Sequence, residues 1–137
     1  MSGSDILNNS GFTGMLNKAV LGIGSTPAQL SLASTIGTGT DFCIDGIAYN
    51  LADSASTAMT AMAVQAVSTS CLYLVMTNSS GTLSTKKGTE QLTADLGANL
   101  AIQWPPCDAD KCPVGGFKVA LDASTTFTGG TTDLDAA

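Results

Sequence analysis

Histidine and arginine are both absent from the 137 residues, and Glu90 is the only glutamate. Without arginine there is no planar fork to hold a phosphate at two points, and a net charge of −6 repels a polyanion. Nucleic acid is therefore not an expected partner. Without histidine the commonest general base at neutral pH is missing, so an abundant serine or threonine hydroxyl has little to activate it. Only aspartates, lysines and Glu90 could serve, and no GxSxG motif is present. Gly37-Thr38-Gly39 lacks the third glycine of a dinucleotide loop. The expectation is a protein that is not an enzyme.

Charge of either sign is scarce, at 12% of residues, and all five cations are lysines: Lys18, Lys86, Lys87, Lys111 and Lys118. Long apolar runs are missing too. No stretch reaches the ~18–20 residues of a membrane span, so no membrane association is expected. Residues 1–17 have no basic start, and Asp5, Asn8 and Asn9 interrupt their apolar positions, unlike a signal peptide. Synthesis in a reducing cytoplasm follows. Cys43, Cys71, Cys107 and Cys112 form no CxxC pair for zinc, and the acid pairs Asp108/Asp110 and Asp133/Asp135 lack the remaining ligands of a calcium loop. No cofactor is expected. Cys107 and Cys112 lie between Pro106 and Pro113, close enough to close a small disulfide loop or to remain two reduced thiols.

What fills the chain instead is hydroxyl and methyl: 32 serines and threonines and 18 alanines. Threonines alternating with apolar residues favour strands, because branched side chains suit a half-buried pleated surface. Residues 28–36 alternate in this way. Asp45-Gly46 between two apolar runs marks a type I′ hairpin, since both turn positions need positive φ. Residues 60–66 are read as a further strand. Cys71–Thr77 is apolar on both faces, as a central strand is, and Asn78–Gly81 turns it into an edge strand over 82–88. Residues 90–103 have partly helical spacing, and Trp104-Pro105-Pro106 ends it. Residues 114–121 form the last strand, with Phe127 and Leu134 anchoring an extended tail. The fold class is all-β, a small sandwich or barrel over residues 26–137.

Residues 1–25 read as a separate N-terminal arm, extended or partly helical, with a helix over 12–21 ended by Gly22 and Gly24. Ile6, Leu7, Phe12, Met15 and Leu16 make it too apolar for a free tail. They pack either on the chain's own core or on a partner.

Four segments in order, FCIDGIAYNLAD (42–53), CLYLVMTNSSGTLSTKKGTE (71–90), WPPCDADKCPVGGFKV (104–119) and TTFTGGTTDL (125–134), resemble small structural proteins of tailed bacteriophages. The shared devices are the Ile44-Asp45-Gly46 turn, the Ser80-Gly81-Thr82 turn, and the entry Pro113-Val114-Gly115 to the last strand. The resemblance covers about 40–134. It implies a virion protein on the capsid surface, a decoration or cement protein that binds across major capsid protein subunits as a homotrimer. The two-faced strand 71–77 points the same way, since its second apolar face asks for a covering layer. The alternative is a head-fibre, tail or adhesin module that recognises a host surface or glycan, with Trp104, Tyr49 and Tyr73 as candidate contacts.

Overall fold

In the computed structural model, residues 11–96 and 101–135 are described. They form ten strands in three antiparallel sheets. The strands are β1 (Gly14–Met15), β2 (Ala19–Ile23), β3 (Gln29–Ser34), β4 (Thr40–Ile44), β5 (Ile47–Leu51), β6 (Ser54–Ala58), β7 (Thr69–Asn78), β8 (Leu83–Lys87), β9 (Gln91–Leu92) and β10 (Lys111–Ala120). One sheet runs β1-β4-β5, the second β2-β3-β6, and the third β10-β7-β8 with β9 also on β7. A single cluster joins them, centred on Leu32, Phe42, Tyr73, Val75 and Phe127. Full burial of each such side chain contributes about 1.5–3 kcal/mol.

Two turns set the registers. Asp45 (φ 50) and Gly46 (φ 82) both lie in the left-handed region, so the β4–β5 hairpin closes through a two-residue turn that matches strand twist. Residues 12–13 then lock onto its tip. The Asp45 N–H donates to Thr13 Oγ1 at 3.1 Å and the Gly46 N–H to the Phe12 carbonyl at 3.0 Å. In the β7–β8 turn, Asn78 Oδ1 accepts the N–H groups of Ser80 and Thr82, each at 3.0 Å, and Gly81 takes φ 75.

The strand β7 is central and buried on both faces, as its sequence predicts. Cys71, Tyr73 and Val75 face the common core. On the other side Leu72 and Met76 are buried beneath the segment 103–108 of the same chain. Pro105 and Gln103 pass over Gly88, Trp104 lies over Gly116, and the Asp108 N–H meets Met76 Sδ at 3.4 Å. The second apolar face is thus covered within one chain, and this pattern does not itself require other copies.

Three local expectations are corrected. Residues 12–21 form no helix: β1 pairs with β4 and β2 with β3, because the apolar residues there serve strand faces rather than a helical stripe. The strand expected at 60–66 lies earlier, at Ser54–Ala58, where it pairs with β3. Residues 60–65 run extended beside β8, held mainly by side chains: Thr60 and Thr85 exchange backbone-to-hydroxyl bonds of 3.0 and 3.2 Å. Within 90–103 the described residues form β9 and a single 3-10 turn over Thr93–Asp95 rather than a helix. Phe127 and Leu134 anchor the tail as expected. Phe127 is fully buried and bridged to Gln65, while the Leu134 N–H reaches the Pro27 carbonyl.

The buried Gln65 carboxamide ties these parts together. Its Nε2 donates to the Thr69 and Val119 carbonyls at 3.0 and 3.2 Å, and its Oε1 accepts the Tyr73 hydroxyl at 2.9 Å. Tyr73→Phe leaves that buried oxygen without its donor, at a cost of about 1–3 kcal/mol. Urea unfolding is expected to show this loss with an unchanged far-UV spectrum.

Candidate functional site

The ionic groups fall into two small clusters, both structural in geometry. Asp108 accepts Lys86 Nζ at 2.7 Å on one oxygen and Lys111 Nζ at 3.1 Å on the other, which pins the 107–110 loop to β8 and β10. Those two lysines hold its carboxyl below the ordinary range. Glu90 pairs with Lys87 and accepts the Ala66 N–H at 3.1 Å. Burial works to raise the Glu90 carboxyl, but the Lys87 ammonium and the Ala66 N–H outweigh it and set it below its usual value. Lys87 also donates to the Ala63 and Val64 carbonyls, so this pair fastens residues 63–66 along the outer side of β8. Asp122 is a turn acid. It accepts the Ser124 and Thr125 N–H groups at 2.8 Å, which draw its carboxyl down to about 2.

Cys107 and Cys112 are not joined. Both are free thiols, Cys107 exposed and Cys112 buried, and they face different surroundings. The Cys112 thiol lies 3.7 Å from Met15 Sδ in the core, whereas Cys107 donates to the Lys111 carbonyl at 3.4 Å. Alternation along β10 turns Cys112 inward, away from the loop that carries Cys107. Burial pushes the Cys112 thiol up to about 11 and raises that of Cys71 as well. Among the described residues no three Cys, Asp or Glu side chains converge as a metal-binding group. No helix among them is long and apolar enough to cross a membrane.

The predicted arm contacts separate. Ile6 and Leu7 lie outside the described residues. Met15 is half-buried against the chain's own core, while Phe12 (48% exposed) and Leu16 (54%) stand in solvent. They belong to a wider set of exposed large apolar side chains that includes Val20, Ile23, Ile47 and Trp104.

The feature that sequence reasoning passed over is the outer side of β10. Gly115 and Gly116 are consecutive, so their missing side chains open opposite faces of one strand. On the core face, a Cβ at Gly115 would lie 2.8 Å from Leu21 Cδ1 of β2. On the other face, a Cβ at Gly116 would lie 2.6 Å from the Tyr73 carbonyl oxygen and collide with the Trp104 ring. Two apolar hollows flank this point. One, of about 220 Å³, is lined by Leu21, Ile23, Leu30, Phe117 and Leu134; the other, of about 350 Å³, by Leu74, Trp104, Pro113 and Val114. The signal was present in the sequence as a Gly-Gly inside a strand, a common mark of close backbone approach. Compared with known proteins, the chain matches no family model, no curated protein and no solved structure.

Two outcomes follow from these groups. A thiol reagent is expected to modify one cysteine, Cys107, in the native protein and all four only after unfolding. The pH dependence has a fixed sign. Glu90, Asp108 and Asp122 are held below their unfolded values, so their contribution is complete above about pH 5 and lost as pH falls through the folded values. With no histidine to titrate, the melting temperature is expected to stay within about 2 °C from pH 5.5 to 7.5 and to fall below about pH 4. The combination Glu90→Gln with Asp122→Asn should flatten the acid limb in calorimetry.

Proposed function

We propose that the chain is a non-enzymatic structural protein of a tailed-phage virion, decorating the head and bridging neighbouring major capsid protein subunits as a homotrimer. The observation that carries this reading is the surface. Large apolar side chains stand exposed on strands from more than one sheet, while charge is scarce and ionic groups are spent on fastening loops. Such a surface loses little on leaving water, because few ions need to be desolvated. The order of turns along residues 40–134 supports the same assignment, as does the sandwich-like packing of short sheets around one core. Binding only to the assembled shell stabilises it by mass action, and a threefold arrangement adds effective concentration once one protomer is seated.

Trp104, 53% exposed beside a hollow, is the one observation that favours a head-fibre or adhesin role instead, since exposed aromatic rings stack on sugars. The two readings separate in one experiment. Purified virions of the encoding phage are fractionated and the protein located by mass spectrometry and antibody labelling, and its binding to expanded, undecorated heads is measured by co-sedimentation. Saturable binding to heads, with heads that open at a higher temperature once loaded, is the expected result. Absence from heads, or glycan binding that Trp104→Ala abolishes while heads are not bound, overturns it.

A further inference from the structure

Among the described residues the strand β10 is an edge, and part of that edge is unclaimed. The Leu121 N–H donates to the Thr69 carbonyl at 2.9 Å, which fixes the phase of the β10–β7 ladder. Val119, Phe117 and Gly115 then turn their amides and carbonyls to β7, and Gly116, Lys118 and Ala120 turn theirs outward. Among the described residues no backbone group bonds to these three. The opposite edge of the same sheet is different, because residues 60–64 cover β8 through Thr60, Thr85 and Lys87. Strand β2 packs against β10 where Leu21 meets Gly115, and the 220 Å³ hollow lies beside that contact, lined by Ile23 and Phe117. Pro113 and the register shift between Pro113 and Gly115 block the first half of the edge, which leaves Gly116, Lys118 and Ala120 open among the described residues.

We propose that this edge receives residues 4–8 of a neighbouring copy as an added antiparallel strand. The sequence Asp5-Ile6-Leu7 fits one register. With Leu7 opposite Gly116, Ile6 falls opposite Phe117 and Asp5 opposite Lys118. Leu7 then enters the hollow beside Trp104 and Leu74, where Gly116 has no side chain. Ile6 enters the other, beside Ile23, Phe117 and Leu134. Asp5 meets Lys118, an exposed lysine with no ion-pair partner among the described residues, on a molecule of net charge −6. The backbone bonds supply affinity, and the alternating side chains with the single charge pair supply the register. Each copy gives its segment to the next, a head-to-tail contact that a threefold rotation closes into a ring.

This inference deepens the reading of a self-associating head protein, yet it fails separately from it. A chain that binds heads but does not self-associate sinks the strand exchange and the homotrimer, and leaves the assignment to the capsid standing. A chain that exchanges strands but ignores heads sinks only the assignment to the capsid.

The test uses sedimentation of the full chain and fluorescence of Trp104, the only tryptophan. The full chain is expected at three times the monomer mass, and a chain lacking residues 1–10 at the monomer mass with an unchanged far-UV spectrum. A synthetic peptide of residues 2–9 is expected to shift the Trp104 emission of the shortened chain. Lys118→Glu should weaken that binding about fivefold or more, and the peptide carrying Asp5→Lys should restore it. Lys118→Pro, which removes the outward N–H together with the ammonium, should abolish it. The charge exchange Asp5→Lys with Lys118→Glu in the full chain gives the same reading if the shortened chain does not fold. A full chain that is monomeric at about 100 μM, a concentration at which even micromolar self-affinity would show, overturns the proposal. So does an unchanged mass after deletion, or peptide binding indifferent to Lys118.

Discussion

Most of the molecule is held by what happens around one ring. Tyr73, in the middle of the central strand, stacks on Phe117 at 5.2 Å and meets Phe127 edge-on at 5.4 Å, while its hydroxyl reaches the Gln65 carboxamide. Each contact comes from a different part of the chain: the last strand, the C-terminal tail, and the long connection between β6 and β7. Gln65 adds both backbone bonds to Phe127, at 2.7 and 3.3 Å, so tail and connection form a short ladder over the ring. A buried amide is costly unless every arm is bonded, and here donor and acceptor are both engaged. Burial also pushes the Tyr73 hydroxyl well above its ordinary range, so it remains a donor at any pH the fold survives.

A chain with little charge must satisfy its loops by other means, and hydroxyls take that role. Thr60 with Thr85 and Ser70 with Thr93 each join separate segments through neutral hydrogen bonds. Such bonds contribute about 0.5–1.5 kcal/mol apiece and require no counter-ion. They explain how an extended stretch such as 60–65 stays in place without a continuous ladder. The ion pairs that do occur sit where a loop must be pinned to a strand, at Asp108 and Glu90. The remaining lysines, Lys18 and Lys118, are exposed and join no ion pair among the described residues.

The hairpins were readable because each depends on a few residues in sequence. Asp45-Gly46 and Asn78–Gly81 specify their turns by backbone sign and a side-chain carbonyl, whatever the rest of the fold does. The two-faced burial of β7 was readable as well, though what covers its second face was not, since Gln103–Asp108 has no periodicity to announce that it crosses a sheet. The misplaced strand has a physical reason. Ser54-Ala55-Ser56-Thr57-Ala58 carries almost no apolar alternation because β6 is an edge strand, while Met59, Met62 and Val64 look strand-like but flank a segment bonded by side chains. Similarly, the helical spacing of Phe12, Met15 and Leu16 arises from three residues with unrelated tasks, of which only Met15 meets the core. At Cys107 and Cys112 the spacing left both a disulfide and two thiols open, and the strand's alternation, not the loop length, decides where each thiol points.

The two consecutive glycines of β10 show how local weakness can be informative. Glycine in a strand gives up side-chain packing and costs conformational entropy, so a pair of them is destabilising unless something occupies the space. Leu21 occupies it on one face and Trp104 on the other, but each fills only part, and apolar hollows remain beside both. The same strand carries a proline, a bulge and an exposed lysine, the usual devices that keep an edge from pairing at random. Those devices occupy the first half of the edge and the outer face, and among the described residues they leave the outward backbone groups of Gly116, Lys118 and Ala120 without a partner. An edge guarded in one half and hollowed in the other is selective: a flat hydrophobic strand gains little there, whereas a strand with one large side chain for each hollow and an acid for the lysine gains at every position.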